Sequence, residues 1–224
     1  EPKEIQNSNW QVSDPLHRAM WRWHTSSSVQ IESNASEVSV QDLAQSDEAL
    51  AIRSAYQLGE QGESSISDLI CAMTGSSEGV RQNASYGLAT MGALAVEPLA
   101  QLMDHNDESV RASAIDTLGD LGLESTTVLD QIISVAGDEN PTIRRASIDA
   151  LGLVGQKSAK VVPVLAAALQ DKDEWVKRNA SLALSRLGPL AQSATTELEK
   201  ALQDENRYVR ANSLESLKRI GTEQ

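Results

Sequence analysis

Six apolar positions, Leu50, Val80, Val110, Ile143, Val176 and Val209, follow one another at steps of 30, 30, 33, 33 and 33 residues. Each carries the same companions. A leucine stands eight residues on, at Leu58, Leu88, Leu118, Leu151, Leu184 and Leu217. A glycine stands twelve on, at Gly62, Gly92, Gly122, Gly155, Gly188 and Gly221. Three residues before each is a side chain suited to capping a helix, Asp47, Ser77, Asp107, Asn140, Asp173 or Asn206. A fixed period of this length makes each unit one supersecondary element that cannot bury its apolar face alone and must stack on its neighbours.

The columns have separate physical causes. The capping oxygen takes N–H groups that the first helical turn leaves unbonded. Pro141 then falls at the first helical position, where its missing N–H costs nothing. Apolar residues at offsets 0, 4, 8 and 11 share one helical stripe, and the glycine suits the left-handed turn that ends a helix. The reading is of A helices near 48–61, 78–91, 108–121, 141–154, 174–187 and 207–220. B helices lie between them on "ISDLICAM", "VEPLAQLM", "TVLDQIISV", "VVPVLAAAL" and "ATTELEKAL". Short loops make each pair antiparallel. Small residues at offset 9, Gly59, Ala89, Gly119, Gly152 and Ser185, predict close approach to the next repeat. Lys218 breaks that column and, with Arg219, is expected to solvate the end of the array.

These segments, "DENPTIRRASIDALGLVG", "DKDEWVKRNASLALSRLG" and "DENRYVRANSLESLKRIG", resemble HEAT-like repeats of the phycobilisome-lyase type. The resemblance covers residues 47–224. It implies an all-α fold, an α-solenoid wound as a right-handed superhelix of stacked antiparallel helix pairs, here five A–B pairs and a final A helix. It implies a scaffold or docking role, with some members assisting enzymes or attaching bilins, and it places the B helices on the concave face.

Residues 1–46 are different. They hold Trp10, Trp21 and Trp23, with His17 and His24. "SDPLHRAMWRWH" reads as a capped helix and "SEVSVQDLAQ" as a lone B-type helix, together a degenerate first repeat capping the array; the other reading is the tail of a preceding domain. "HRAMWRWH" is also similar to the ends of phytanoyl-CoA-dioxygenase-like domains, some of which carry such repeats.

Offset 1 holds Ala51, Arg81, Arg111, Arg144, Lys177 and Arg210. A cation near a helix N-terminus opposes the helix dipole, so its recurrence implies compensating acids. Asp138, Asp171 and Asp204 are the expected partners, each in the turn of its own repeat. This favours a structural ladder over a basic binding stripe. Arg145 and Arg178 are expected to be exposed.

For binding, "VVPVLAAALQ" is apolar nearly all round, whereas a solvent-facing helix should show a polar face. Val164 and Ala167 are therefore expected on the concave surface, flanked by Gln101, Asp130, Gln131, Ser134, Glu197 and Lys200. That gives either a groove with an apolar centre and polar rim for a protein partner, or tight packing with little exposed area. Trp175 and Tyr208, at one offset in adjacent repeats, are expected either to pair on one edge or to pack over the seam between repeats.

Other classes are disfavoured. The net charge of −13 argues against nucleic acid or an anionic membrane surface as partner. No apolar run approaches the ~18 residues of a membrane span. Cys71 is the single cysteine, so no intrachain disulfide forms, in keeping with a cytoplasmic protein. His17 and His24 stand about 10 Å apart along a helix, too far to chelate one metal unaided. No metal, nucleotide or catalytic signature occurs, and the expectation is a non-enzymatic protein without cofactor. The alternative is an accessory domain of a larger enzyme, either a bilin-lyase-type subunit or the repeat tail of a phytanoyl-CoA-dioxygenase-like protein.

Overall fold

The computed structural model describes residues 38–221. The segment "HRAMWRWH", with Trp10, Trp21, Trp23 and both of its histidines, lies outside the described residues. Within them the repeat frame becomes six long A helices: α1 (Glu48–Glu60), α3 (Glu78–Thr90), α5 (Glu108–Asp120), α7 (Pro141–Val154), α9 (Glu174–Leu187) and α11 (Arg207–Gly221). Between them run the B helices α2 (Glu63–Met73), α4 (Ala93–Leu102), α6 (Leu129–Val135), α8 (Val162–Ala168) and α10 (Thr195–Ala201). All six expected capping side chains accept backbone N–H groups. Asp47 takes Ala49 and Leu50, for example, and Asn206 takes Tyr208.

Each A helix packs on the next A helix, and each B helix packs chiefly on the A helix that follows it, so one continuous apolar core runs along the array. Leu88, Leu118, Leu151 and Leu184 of the offset-8 column are fully buried in it. The frame position itself is buried from Val110 onward, whereas Leu50 is 42% exposed. The offset-9 column sets how near the A helices come. A methyl group on Gly152 would stand 2.7 Å from the Ala183 Cβ, and one on Gly59 would stand 2.5 Å from the Gly87 carbonyl oxygen. Lys218 is exposed at that offset, while Arg219 is tied down, donating to the Ser185 carbonyl at 3.0 Å and to Glu215 at 2.9 Å.

Two expectations change in detail. The glycines closing α1, α3, α5 and α9 have φ between 55° and 65°. At Gly62, Gly92 and Gly188, ψ is near −130°, a region open only to glycine rather than the left-handed helical one. Gly155 has φ −84°; its reason is space, since a Cβ there would meet Val161 at 2.5 Å. The second change concerns "SEVSVQDLAQ". Its described part forms a five-residue 3-10 helix, Val40–Ala44, not a B-type α-helix. The chain turns extended at Gln45 to reach the Asp47 cap, which leaves no length for more. Leu43 is nonetheless buried beneath α1 and α3, and its carbonyl accepts Asn83 Nδ2 at 2.9 Å.

The two periods also build differently. In the 30-residue repeats, α2 and α4 start directly after their glycine. In the 33-residue repeats a 3-10 segment comes first: Gly122–Val128, Ala159–Val161 or Gly188–Ala194. Three extra residues are one 3-10 turn, which lengthens the connection while returning the chain to the same rotational phase.

Candidate functional site

The B helices α6 and α8 stand apart enough to leave an open groove of about 840 Å³. Its apolar surface comes from Ile133 and Ala136 on one side and Pro163, Val164, Ala167 and Ala168 on the other. Pro163 sits in the first turn of α8, and the run of alanines after it supplies small side chains, so the groove stays open. The other face of α8 is used up by the core: Val162 and Leu165 are buried, whereas Val164 is half-buried and Ala167 exposed. The surplus apolarity of "VVPVLAAAL" is therefore directed to solvent.

Of the eight residues expected on this surface, the groove brings together Ser134, Val164 and Ala167. Gln101, Asp130, Gln131 and Lys200 are exposed on α4, α6 and α10, and Glu197 is half-buried on α10, all outside the groove lining. Asp130 is engaged by Lys160 at 3.1 Å in a largely solvated pair. Ile133, Pro163 and Ala168 escaped the sequence reading, although Pro163 stands four residues before Ala167 and Ala168 four after Val164, on shared helical faces.

One end of the groove is closed by the offset-1 ladder. Arg144 is buried, and its Nη1 donates to the carbonyls of Asp138 and Glu139 at 2.9 Å. Its Nε and Nη2 grip both oxygens of Asp171, at 2.8 and 2.9 Å. Lys177 meets Asp204 at 2.6 Å in the same way. The acid thus comes from the following repeat, not from the cation's own turn as expected. The cause is geometric. Helical side chains lean toward the N-terminus. Their own loop offers backbone carbonyls there, and the rest of the fork faces the adjacent repeat. Arg81 and Arg111 likewise reach the Gly75 and His105 carbonyls, at 2.7 and 2.8 Å. Burial pushes the Asp171 carboxyl up, but the Arg144 bonds and the Asp173 N–H outweigh it and hold it below 3.8.

Arg145, expected to be exposed, is instead half-buried and paired with Asp173, its Nε 2.8 Å from Oδ1. The same carboxylate caps α9, so Arg145, ahead of the cap's own N–H bonds, lowers Asp173 to about 2. Arg178 is also half-buried, with its guanidinium carbon 5.0 Å from the Trp175 ring centre and 4.8 Å from that of Tyr208. Trp175 and Tyr208 are therefore joined on an edge through a cation, and both stay exposed.

On the A-helix side, Asp116 of α5 and Asp149 of α7 occupy one column. Asp116 retains exposed surface, yet the crowding of surrounding protein, then the charge of Asp149, raises its carboxyl to about 7. Arg186 lies 3.9 Å from Asp149. Among the described residues no group of His, Cys, Asp and Glu is arranged to hold a metal ion, and no helix is long and apolar enough to cross a membrane.

Residues 66–132, 96–185 and 129–218 match the family pattern for HEAT repeats. The chain belongs to the HEAT-repeat family. This HEAT-repeat protein is 26% identical to a chain in the structure of the CpcE–CpcF complex of phycocyanin lyase from Nostoc, with a TM-score of 0.60 over 68% of this chain and 98% of that one. It also superimposes on the E. coli protein YibA, with a TM-score of 0.63 at 19% identity over 91% and 77% of the two chains. A computationally designed armadillo repeat protein for modular peptide recognition matches with a TM-score of 0.51 at 21% identity, over 80% and 97%. Its fold is therefore the α-solenoid that the repeats imply. No curated protein gives a significant match.

Proposed function

We propose that this HEAT-repeat protein is a non-enzymatic scaffold that holds an apolar segment of a partner protein in the groove between α6 and α8. The observation that carries this reading is the outward face of α8. Val164 and Ala168, half-buried at the margin of the core, and exposed Ala167 line an open groove rimmed by polar residues. Apolar patches with polar rims mark interaction surfaces. Gln101, Asp130, Gln131, Glu197 and Lys200 then form the flanking B-helix face, the side that the family resemblance makes concave. The partner is a protein rather than nucleic acid or membrane, in keeping with the charge of −13, and the setting is cytoplasmic.

The test places a photocrosslinking residue at position 167, and at exposed Leu123 as a control. A partner captured at 167 and not at 123, and lost in Val164→Glu with helicity intact, supports the groove. Equal capture at both positions, or binding unchanged by Val164→Glu, counts against it.

The second reading is an accessory subunit of a lyase, favoured by the resemblance to a chain of the CpcE–CpcF complex. Under that reading the captured partner is another repeat chain, and the pair together carries an activity that neither has alone.

A further inference from the structure

The edge formed by the starts of α9 and α11 carries an arrangement that the groove does not use. Trp175 is 53% and Tyr208 38% exposed. Between them lies the Arg178 guanidinium, and Arg207 stacks on the Tyr208 ring at 4.7 Å while donating to its hydroxyl at 2.7 Å. The nearby cations are committed elsewhere: Arg144 to Asp171, Arg145 to Asp173 and Lys177 to Asp204. Arg178 and Arg207 have no carboxylate within salt-bridge reach among the described residues. On a chain of net charge −13, they are two cations without a carboxylate partner among the described residues.

Stacking changes what such an arginine can do. A guanidinium held face-on by aromatic rings keeps its in-plane N–H donors free, and those donors match a carboxylate two at a time. Because Arg178 is already fixed by two rings, little rotamer freedom remains to be lost on binding. The number of free cations also selects the ligand. A nucleic acid is gripped through many phosphates along a basic track. Here two arginines lack a paired carboxylate, and Glu174 and Glu205 stand near them in the sequence, which suits one or two carboxylates and disfavours a long polyanion.

We propose that Trp175, Arg178, Tyr208 and Arg207 form a second docking point, which receives a short acidic segment of a partner protein. A glutamate or aspartate carboxylate sits on the Arg178 fork, and a neighbouring apolar side chain lies on the exposed Trp175 ring. This surface is independent of the groove reading, since neither aromatic residue lines the groove.

The probe is a fluorescein-labelled peptide alternating glutamate with leucine, followed by fluorescence anisotropy at low salt. The controls are the same peptide with glutamine for glutamate, a phosphoserine peptide and a thymidine oligonucleotide. The glutamate peptide is expected to bind and to weaken as salt is raised. Arg178→Ala is expected to weaken it by about tenfold or more, the loss of a charge-assisted bidentate contact. Arg178→Lys should weaken it nearly as much, because it keeps the charge and loses the stacked fork. Lys157→Ala, which removes an exposed charge elsewhere, should leave binding unchanged. If Arg178→Ala loses helicity, Trp175→Ala, at a ring more than half exposed, carries the same test. Equal binding of the glutamine peptide, undiminished binding by Arg178→Ala and Trp175→Ala, or tighter binding of the phosphoserine peptide or oligonucleotide would overturn the proposal.

Discussion

Arg144→Met is the perturbation that tests most directly whether the ladder of arginines is structure or binding surface. The methionine keeps an apolar stem in place and removes four hydrogen bonds: two to Asp171 and one each to the Asp138 and Glu139 carbonyls. The side chains of the pair are 7% and 15% exposed. Removing one partner of a buried ion pair costs about 3–5 kcal/mol, largely because the other charge stays buried alone. Asp171 retains the Asp173 N–H at 2.8 Å and some contact with water, which places the expected loss near the lower end, about 3 kcal/mol. The control is Lys160→Met. Its pair with Asp130 is 67% and 75% exposed, and such a pair contributes about 0–1 kcal/mol. Urea unfolding followed by far-UV circular dichroism compares the two. Because Arg144 joins adjacent repeats, its loss should also broaden the transition, as it weakens the coupling that makes an array unfold together. Adding Asp171→Asn to Arg144→Met should recover part of the loss, since it removes the stranded charge. If Arg144→Met is no more destabilising than Lys160→Met, the ladder is not structural.

Further predictions follow from the same geometry. Gly152→Ala pushes a methyl group to 2.7 Å from Ala183 and should destabilise by about 1–3 kcal/mol, whereas Gly79→Ala, with open space around it, should stabilise by about 0.5–1 kcal/mol; urea midpoints moving in the same direction would sink the close-packing account. Asp116 holds its proton in the fold up to about pH 7, but in the unfolded chain only to the ordinary carboxylate range, so stability should fall as pH rises from about 4 to 7. Asp116→Asn should accordingly be more stable than the parent at pH 8, with the gap closing toward pH 4, read by thermal melts across the range. Asp173 has the opposite sign: lowered to about 2, it contributes stability above the ordinary carboxylate pKa that is lost as pH falls from about 4 to 2, and Arg145→Met should flatten that acid loss. In hydrogen exchange, α1 to α3 should lose protection before α7 to α9, because among the described residues the cation–acid rungs Arg144–Asp171 and Lys177–Asp204 tie the later repeats; uniform protection along the array would contradict this.

The features legible in the sequence were those whose physics closes within one turn. A capping oxygen acts on an N–H two or three residues away, so all six caps could be read from single positions. The buried leucine column and the small residues at offset 9 repeat like with like, and stacking brings like positions together. What escaped the sequence were contacts between unlike positions in different repeats. The period says that residue 144 neighbours residue 177, but not that its fork prefers Asp171 to Asp138. Arg145 and Arg178 looked like surplus surface charge for the same reason: their partners, Asp173 and Tyr208, are 28 and 30 residues away, short of the period. Along α8 the signal is local, an apolar run without a polar face, and Val164 and Ala167 line the groove, whereas Glu197, Lys200 and Gln101 rest on repeat symmetry alone and lie outside its lining.

That asymmetry has a physical consequence within the molecule. The change of period from 30 to 33 residues coincides with two other changes: a 3-10 turn enters before each B helix, and an aspartate appears five residues before the frame position. Ahead of the first three frame positions that residue is Gln45, Gly75 or His105, and Arg81 and Arg111 bond to backbone carbonyls of their own loops. Where the period is 33, the cations at Arg144 and Lys177 cross to the next repeat. The earlier repeats are thus joined by apolar packing and close helix approach, the later ones by these and a charged rung as well. The aromatic edge lies on repeats joined by the Lys177–Asp204 rung, and Arg144 closes the groove by bonding the carbonyls of the loop after α6 and, through Asp171, the loop after α8. A recognition surface assembled from two or three repeats needs that fixing, since each added degree of freedom between repeats is lost on binding. The rungs therefore serve recognition without touching a partner, by holding α6, α8, α9 and α11 in the arrangement that a partner meets.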